Sequence, residues 1–178
     1  MKIIALDVSL SCTGVAIRDP NAEFDIPETR QIKPPAKYAR PGPERLWYHD
    51  EELRKLLADV RPDLVVIEGY PFGVKGKGAR SLAELGGVVR LRLHRAGVPF
   101  VEINPSKLKI LARGTTKVKK EAVTIAAVRR LNYQGDDNNE ADALWLLEFA
   151  LQHYALSGRA DLPKSHTRAL RGISWPAR

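Results

Sequence analysis

The sequence predicts an α/β fold in which a five-stranded mixed sheet is flanked by helices, and three observations lead there. Apolar runs at Lys2 to Leu10, Leu64 to Glu68 and Val98 to Ile103 have the length and composition of buried strands. Apolar residues recur at helical spacing in Leu46, Leu53, Leu57 and Val60, in Leu82, Leu85, Val89 and Leu93, and in Leu144, Leu147, Leu151 and Tyr154. Strands and helices alternate through the middle of the chain and helices alone close it, an order that suits a mixed sheet.

Each element has a local reason. The opening run carries one embedded acid, Asp7, and the turn-prone Ser9 to Cys12 leads into a second strand, Thr13 to Arg18, so the two form a hairpin. A weaker strand lies between Glu23 and Ile32, its limits blurred by Pro20 and Pro27. Lys33 to Pro43 is a proline-rich, basic loop. Pro43 suits the first turn of a helix that ends at Arg61, before Pro62. Leu64 to Glu68 is the second central strand and again ends in an acid. Tyr70 to Gly78, rich in glycine, lysine and aromatic residues, reads as irregular. The helix through Leu82 to Leu93 stops at Gly97, and Asn104 and Pro105 cap and open a short helix to Arg113. Gly114 and two threonines precede a helix from Lys117 to Leu131, and a last helix runs from Asn138 to about Leu156. No apolar periodicity survives beyond it. Residues 1–157 thus read as one domain and 158–178 as a basic tail, in which Arg159, Lys164, Arg168, Arg171 and Arg178 face Asp161 alone.

Composition narrows the function. A chain of 178 residues has room for one compact domain with a full core, and 44% hydrophobic with 28% charged residues excludes global disorder. No apolar run reaches the roughly 18 residues of a membrane span. Asp7 breaks the opening apolar run, against a secretory signal. The single cysteine, Cys12, excludes a disulfide framework and a multi-thiolate zinc site, so a reducing cytoplasm is the expected compartment. With 29 Lys and Arg against 21 Asp and Glu the net charge is +8, which suits a polyanionic partner, nucleic acid first.

Buried strands rarely carry carboxylates, because desolvating an unpaired charge is costly unless a cation compensates it. Asp7 and Glu68 both break that rule, and Asp142 adds a third acid, one helical turn after Asn139. Singly, each has an ordinary reading: Asp7 in a turn, Glu68 paired with an arginine, Asp142 favouring a helix dipole. Together with the amide oxygen of Asn139 they could surround a hard divalent cation. Asp136, Asp137 and Glu140 read as solvated or capping residues, with Asp137 or Glu140 open as a further ligand. His49, His94, His153 and His166 lack metal-ligand spacing. Trp145, three residues after Asp142, is a candidate neighbour of the site. From Asn104 to Lys120 the chain holds Lys107, Lys109, Arg113, Lys117, Lys119 and Lys120 without an acid, which suits phosphate contacts, the plain alternative being a solvated face. Lys75, Lys77 and Arg80 beside Tyr70 and Phe72 form a second basic and aromatic cluster, for backbone binding and stacking or simply a surface loop.

The segments IALDVSLSCTGVAI, LVVIEGY, INPSKLKILARGTTKVKKEAV and NNEADALWLLEFAL, in this order over residues 3–151, resemble RuvC-type Holliday junction resolvases, particularly the phage-borne branch. The resemblance implies an RNase H-like fold and a homodimer in a bacterial cell that binds four-way DNA junctions and cuts them with Mg2+ or Mn2+. It matches Asp7, Glu68 and Asp142 to the family's metal-binding acids. Asn139 stands where many relatives carry Asp and some carry His. Lys109 and Lys120 align with lysines used for DNA contact or catalysis, and Tyr70 or Phe72 with an aromatic wedge. On that reading two ions about 3.5 to 4 Å apart clamp both ends of the displacement, Asp7 bridging them, Glu68 and Asp142 holding one each and Asn139 assisting. Gly86 and Gly87, on the helix that ends at Gly97, mark a candidate dimer face. Rival readings are a sugar kinase or related ATPase with the same opening hairpin, a non-catalytic binder of branched DNA, and a nuclease acting on RNA/DNA hybrids.

Overall fold

Alternation along the strands sets the architecture of this computed structural model, which describes residues 1–22, 26–69 and 77–176 apart from the side chains of Lys77 and Gly78. The strands are β1 (Ile3–Asp7), β2 (Thr13–Arg18), β3 (Glu28–Ile32), β4 (Leu64–Glu68) and β5 (Phe100–Ile103). They form one sheet in the order β3-β2-β1-β4-β5, antiparallel across β3, β2 and β1 and parallel across β1, β4 and β5. Because successive side chains point to opposite faces, Ile4, Leu6, Val65 and Ile67 line one core, while Ile3, Ala5, Leu64 and Val66 line the other.

Helices cover both faces. On the first lie α1 (Pro43–Val60), through Leu53, Leu56, Leu57 and Val60, and α2 (Lys77–Arg95), through Leu85, Val89 and Leu93. On the second lie α3 (Pro105–Arg113), α4 (Lys120–Arg130) and α5 (Asn138–His153). From Ala143 to Leu151 every residue of α5 is buried, because this helix crosses β1 and β2 and is itself overlain by neighbours. The expected five-stranded α/β plan is thus present.

Four boundaries differ from the sequence reading. The third strand starts at Glu28, since Pro27 has no N–H to donate. Lys77, read as loop, opens α2. Helix α4 starts at Lys120 rather than Lys117: Lys119 is extended, with ψ 154°. Helix α5 stops at His153, and Ala155 adopts the left-handed φ of 49°. Between residues 158 and 176 the chain packs on the core through Leu162, Leu170, Ile173 and Trp175. A short helix α6 (Lys164–Thr167) and a 3-10 turn over Arg168–Leu170 pack on α3, burying His166 and Ala169. Hydrogen bonds to main-chain oxygens hold them: His166 Nδ1 to Leu111 O at 2.7 Å and Arg168 to Gly114 O at 2.9 Å. A segment fixed this way needs no apolar repeat, so none announces it in the sequence.

Candidate active site

Strand parity aims two carboxylates at one face. Asp7 follows Ile3 and Ala5, and Glu68 follows Leu64 and Val66, so both project toward α5. The parallel register runs from Ile3 opposite Leu64 to Leu6 opposite Ile67, and one further step sets Asp7 beside Glu68. A slip of one residue would turn either acid into the opposite core.

The third carboxylate arrives on α5, and a glycine admits it. Gly14 is the antiparallel partner of Asp7, and a Cβ there would stand 2.0 Å from the main-chain oxygen of Asn139. The first turn of α5 therefore rests directly on β2. Asp137 caps that turn, its Oδ1 accepting from Asn139 N at 2.8 Å and Glu140 N at 3.0 Å. Glu140 Oε2 accepts from Thr29 Oγ1 and from Tyr133 Oη, each at 2.9 Å, tying the turn to β3 and to the chain after α4. Asp142, one turn on, then faces the strand ends.

Charge is concentrated and partly buried. Asp7 is 7% exposed. Burial first, and then the charge of Glu68, pushes its carboxyl up to about 8, against the pull of Lys120. Glu68 rises to about 7 through burial and then Asp142, and Asp142 to about 7 through burial and then Asp7. Direct interaction between the two carboxyls adds to the rise at Asp7 and offsets part of that at Glu68. Lys120 supplies the countercharge: its amine donates to Asn139 Oδ1 at 3.3 Å and lies 3.9 Å from Asp142 Oδ2. Lys109 adds a weaker positive field on Glu68 and Asp142.

Carboxylates that raise one another's affinity for protons fit a divalent cation, which would take the protons' place with oxygen ligands it prefers. Among the described residues no three His, Cys, Asp or Glu side chains are gathered closely enough to hold a metal ion by themselves.

The structure gathers Asp7, Glu68, Asn139, Asp142 and Lys120 at one point, with Lys109 in electrostatic reach. Arg113, Lys117 and Lys119 are exposed nearby in the chain. Lys107 is committed elsewhere, its amine donating to Ala169 O at 3.1 Å and to Arg171 O. Tyr70, Phe72 and Lys75 lie outside the described residues, as does the side chain of Lys77. Trp145 turns away from the site: it is fully buried and donates to Val123 O at 3.2 Å. Sequence reasoning passed over Gly14, Thr29 and Tyr133. A glycine inside an apolar strand was a usable signal of close backbone approach. Nothing local marks the other two.

An acidic centre on adjacent central strands, completed from a crossing helix, in a mixed sheet of this order defines an RNase H-like α/β protein. The family described as "Crossover junction endodeoxyribonuclease RuvC" matches residues 4–153. The chain belongs to this family. A protein of that name from Sorangium cellulosum is 36% identical over 118 residues, 65% of this chain and 64% of the relative. One from Syntrophomonas wolfei is 27% identical over 172 residues, 95% of this chain and 98% of the relative. Two Thermus thermophilus RuvC structures, one in complex with Holliday junction substrate, superpose with TM-scores of 0.68 and 0.67; each is 20% identical and covers 92% of this chain and 100% of its own.

Proposed function

We propose that this chain is a structure-selective endonuclease that resolves four-way DNA junctions, with Asp7, Glu68, Asp142 and Asn139 as metal ligands and Lys120 completing the centre. The observation that carries this is the convergence of three carboxylates and one lysine at the ends of β1 and β4, in a member of the RuvC family. The family's nucleases depend on divalent metal; we assign Mg2+ or Mn2+ here, two ions per site. Bound there, the metal would acidify the attacking water and stabilise charge on the departing oxygen.

The chain's own groups orient and neutralise. Asn139 offers a carbonyl oxygen in place of a carboxylate, which leaves the centre one negative charge poorer and its amide oxygen paired with Lys120. Lys120 is exposed enough to meet a phosphate while its amine balances Asp142. Lys109, Arg113, Lys117 and Lys119 form the phosphate-binding face, and Tyr70 or Phe72, with Lys75 and Lys77, the wedge at the crossover. Lys107, which the sequence groups with these lysines for DNA binding, instead holds the C-terminal segment through its amine. Paired cuts call for two copies, and α2 is the face we assign to them: Gly87 has open space above it and Leu91, one turn on, is exposed. Among the described residues no helix is long and apolar enough to cross a membrane, and with Cys12 as its single thiol we place the protein in the cytoplasm.

The deciding experiment compares cleavage of a labelled four-way junction, linear duplex and RNA/DNA hybrid, with Mg2+ or EDTA. Paired, Mg2+-dependent nicks on the junction, abolished in Asp7→Asn while binding persists, are expected. A wild type that binds junctions yet cuts with no divalent metal would leave a binding role in place of the enzyme, and preferential cutting of the hybrid would change the substrate.

A further inference from the structure

An exposed tryptophan stands where the core has no use for it. Trp47, in the first turn of α1, is 55% exposed, whereas its neighbour Leu46 packs against the apolar cluster together with Val8 and Leu10. Two further rings surround it. Tyr38 lies 6.0 Å from Trp47 and 5.2 Å from Tyr48, centroid to centroid, and the Lys37 amine sits 4.8 Å above the Tyr38 ring. The loop that carries Tyr38 is pinned to α1: Arg45 Nε donates to Tyr38 O at 3.0 Å and Tyr48 Oη to Lys33 O at 3.1 Å. The aromatic group is therefore built and held, not a loose loop.

Its position and charge point to one occupant. His49 bonds Leu10 O at 3.2 Å, and Leu10 lies in the turn that follows Asp7, so the start of α1 lies at the same end of the sheet as the carboxylates, on the opposite face. Lys33, Lys37 and Arg40 are exposed against one neighbouring exposed acid, Glu44, so the face is basic on balance. A second copy of this face would set basic residues against basic residues, which disfavours a symmetric contact. Flat rings interleaved with cations at the end of the sheet that carries the carboxylates suit unpaired nucleotides, their bases stacked and their phosphates paired.

We propose that Trp47 and Tyr38, with Lys33, Lys37 and Arg40, form a stacking platform for unpaired nucleotides of the DNA substrate, on the α1 face of the sheet. This rests on the junction-cutting reading above for its substrate, and on the surface itself for its chemistry.

The test uses intrinsic fluorescence of the full chain in EDTA, titrated with short oligothymidylate, with a four-way junction and with linear duplex. Trp145 is fully buried and Trp175 is half-buried and stacked on His153 at 4.4 Å, so Trp47 is the most exposed of the three tryptophans, and its substitution identifies its share of any response. Quenching by oligothymidylate and by the junction is expected, and Trp47→Phe should remove it. Trp47→Ala should weaken oligothymidylate binding roughly five- to a hundredfold, the range of one base stack, with duplex binding and thermal midpoint unchanged. Unchanged emission at saturation, or equal binding by Trp47→Ala, overturns the platform. So does a shift from dimer to monomer in Trp47→Ala on sedimentation with no change in DNA affinity, which would make the face a protein contact. Should oligothymidylate quench Trp47 while wild type with Mg2+ neither binds nor cuts junctions, the platform stands and the resolvase reading falls; junction cutting without any response from Trp47 sinks the platform alone.

Discussion

Gly14 shows how much one missing methyl group decides. Asn139 reaches the acidic centre only because the main chain of α5 passes over Gly14 where a side chain would stand. An alanine there meets main-chain atoms, which cannot swing aside as a flexible side chain would. Gly14→Ala should therefore lower stability by about 1 to 3 kcal/mol or more and reduce cleavage further than stability alone explains, since Asn139 and Asp142 move with the helix. Thermal denaturation and junction cleavage measured in parallel check this, and a variant equal to wild type in both would show that α5 has room to spare. The acids themselves were legible one by one, because a carboxylate in an apolar strand is conspicuous. Gly14 was legible only as a site of close backbone approach; which chain approaches it, more than a hundred positions away, was not.

Helix α5 carries a second buried acid that takes no part in the site. Glu148 is 1% exposed, and its Oε1 accepts from Gln152 Nε2 at 2.5 Å and from Ala160 N at 2.9 Å, fastening the turn after the helix. Burial outweighs these bonds and the nearby Arg159 and pushes its carboxyl up to about 7 from 4.5. The folded form thus holds this proton more tightly than the unfolded chain. Its stabilising contribution is complete below pH 4.5 and is lost as pH rises through 7, on the order of 3 kcal/mol across that window. Glu148→Gln can keep both bonds at its Oε1 without titrating. Relative to wild type, urea denaturation should find it more stable at pH 8 and the advantage shrinking toward pH 5; a constant difference would refute the buried proton. The outcome divides two lysines of the basic stretch, Lys107 in α3 and Lys119 at the cap of α4. Lys119→Met should lower the salt slope of junction binding by about 1. Lys107→Met should leave that slope alone and speed amide exchange over residues 164–171, because its amine holds main-chain oxygens there. Anisotropy titrations across salt and exchange by mass spectrometry separate them. The sequence pooled these lysines into one basic stretch, since charge is visible in a sequence and a bonding partner is not.

At the scale of the molecule, two nicks across a junction require two centres, and the exposed Gly87 and Leu91 of α2 form the face we assign to pairing. Gly87→Arg should give monomers in sedimentation that still bind junctions but no longer cut both strands together; dimers persisting in that variant would move the interface elsewhere. What the sequence by itself determined is the order of strands and helices, the three acids at the strand ends and on the last long helix, and the net positive charge. These follow from periodicity and residue type, which are local. Tertiary structure alone decided the rest: that register sets Asp7 beside Glu68, that Gly14 lets α5 bring Asp142 to them, that Lys107 serves the C-terminal segment, and that Trp47 faces solvent. Each of these depends on which distant residues meet, and the free energy of such contacts leaves no periodic trace along the chain.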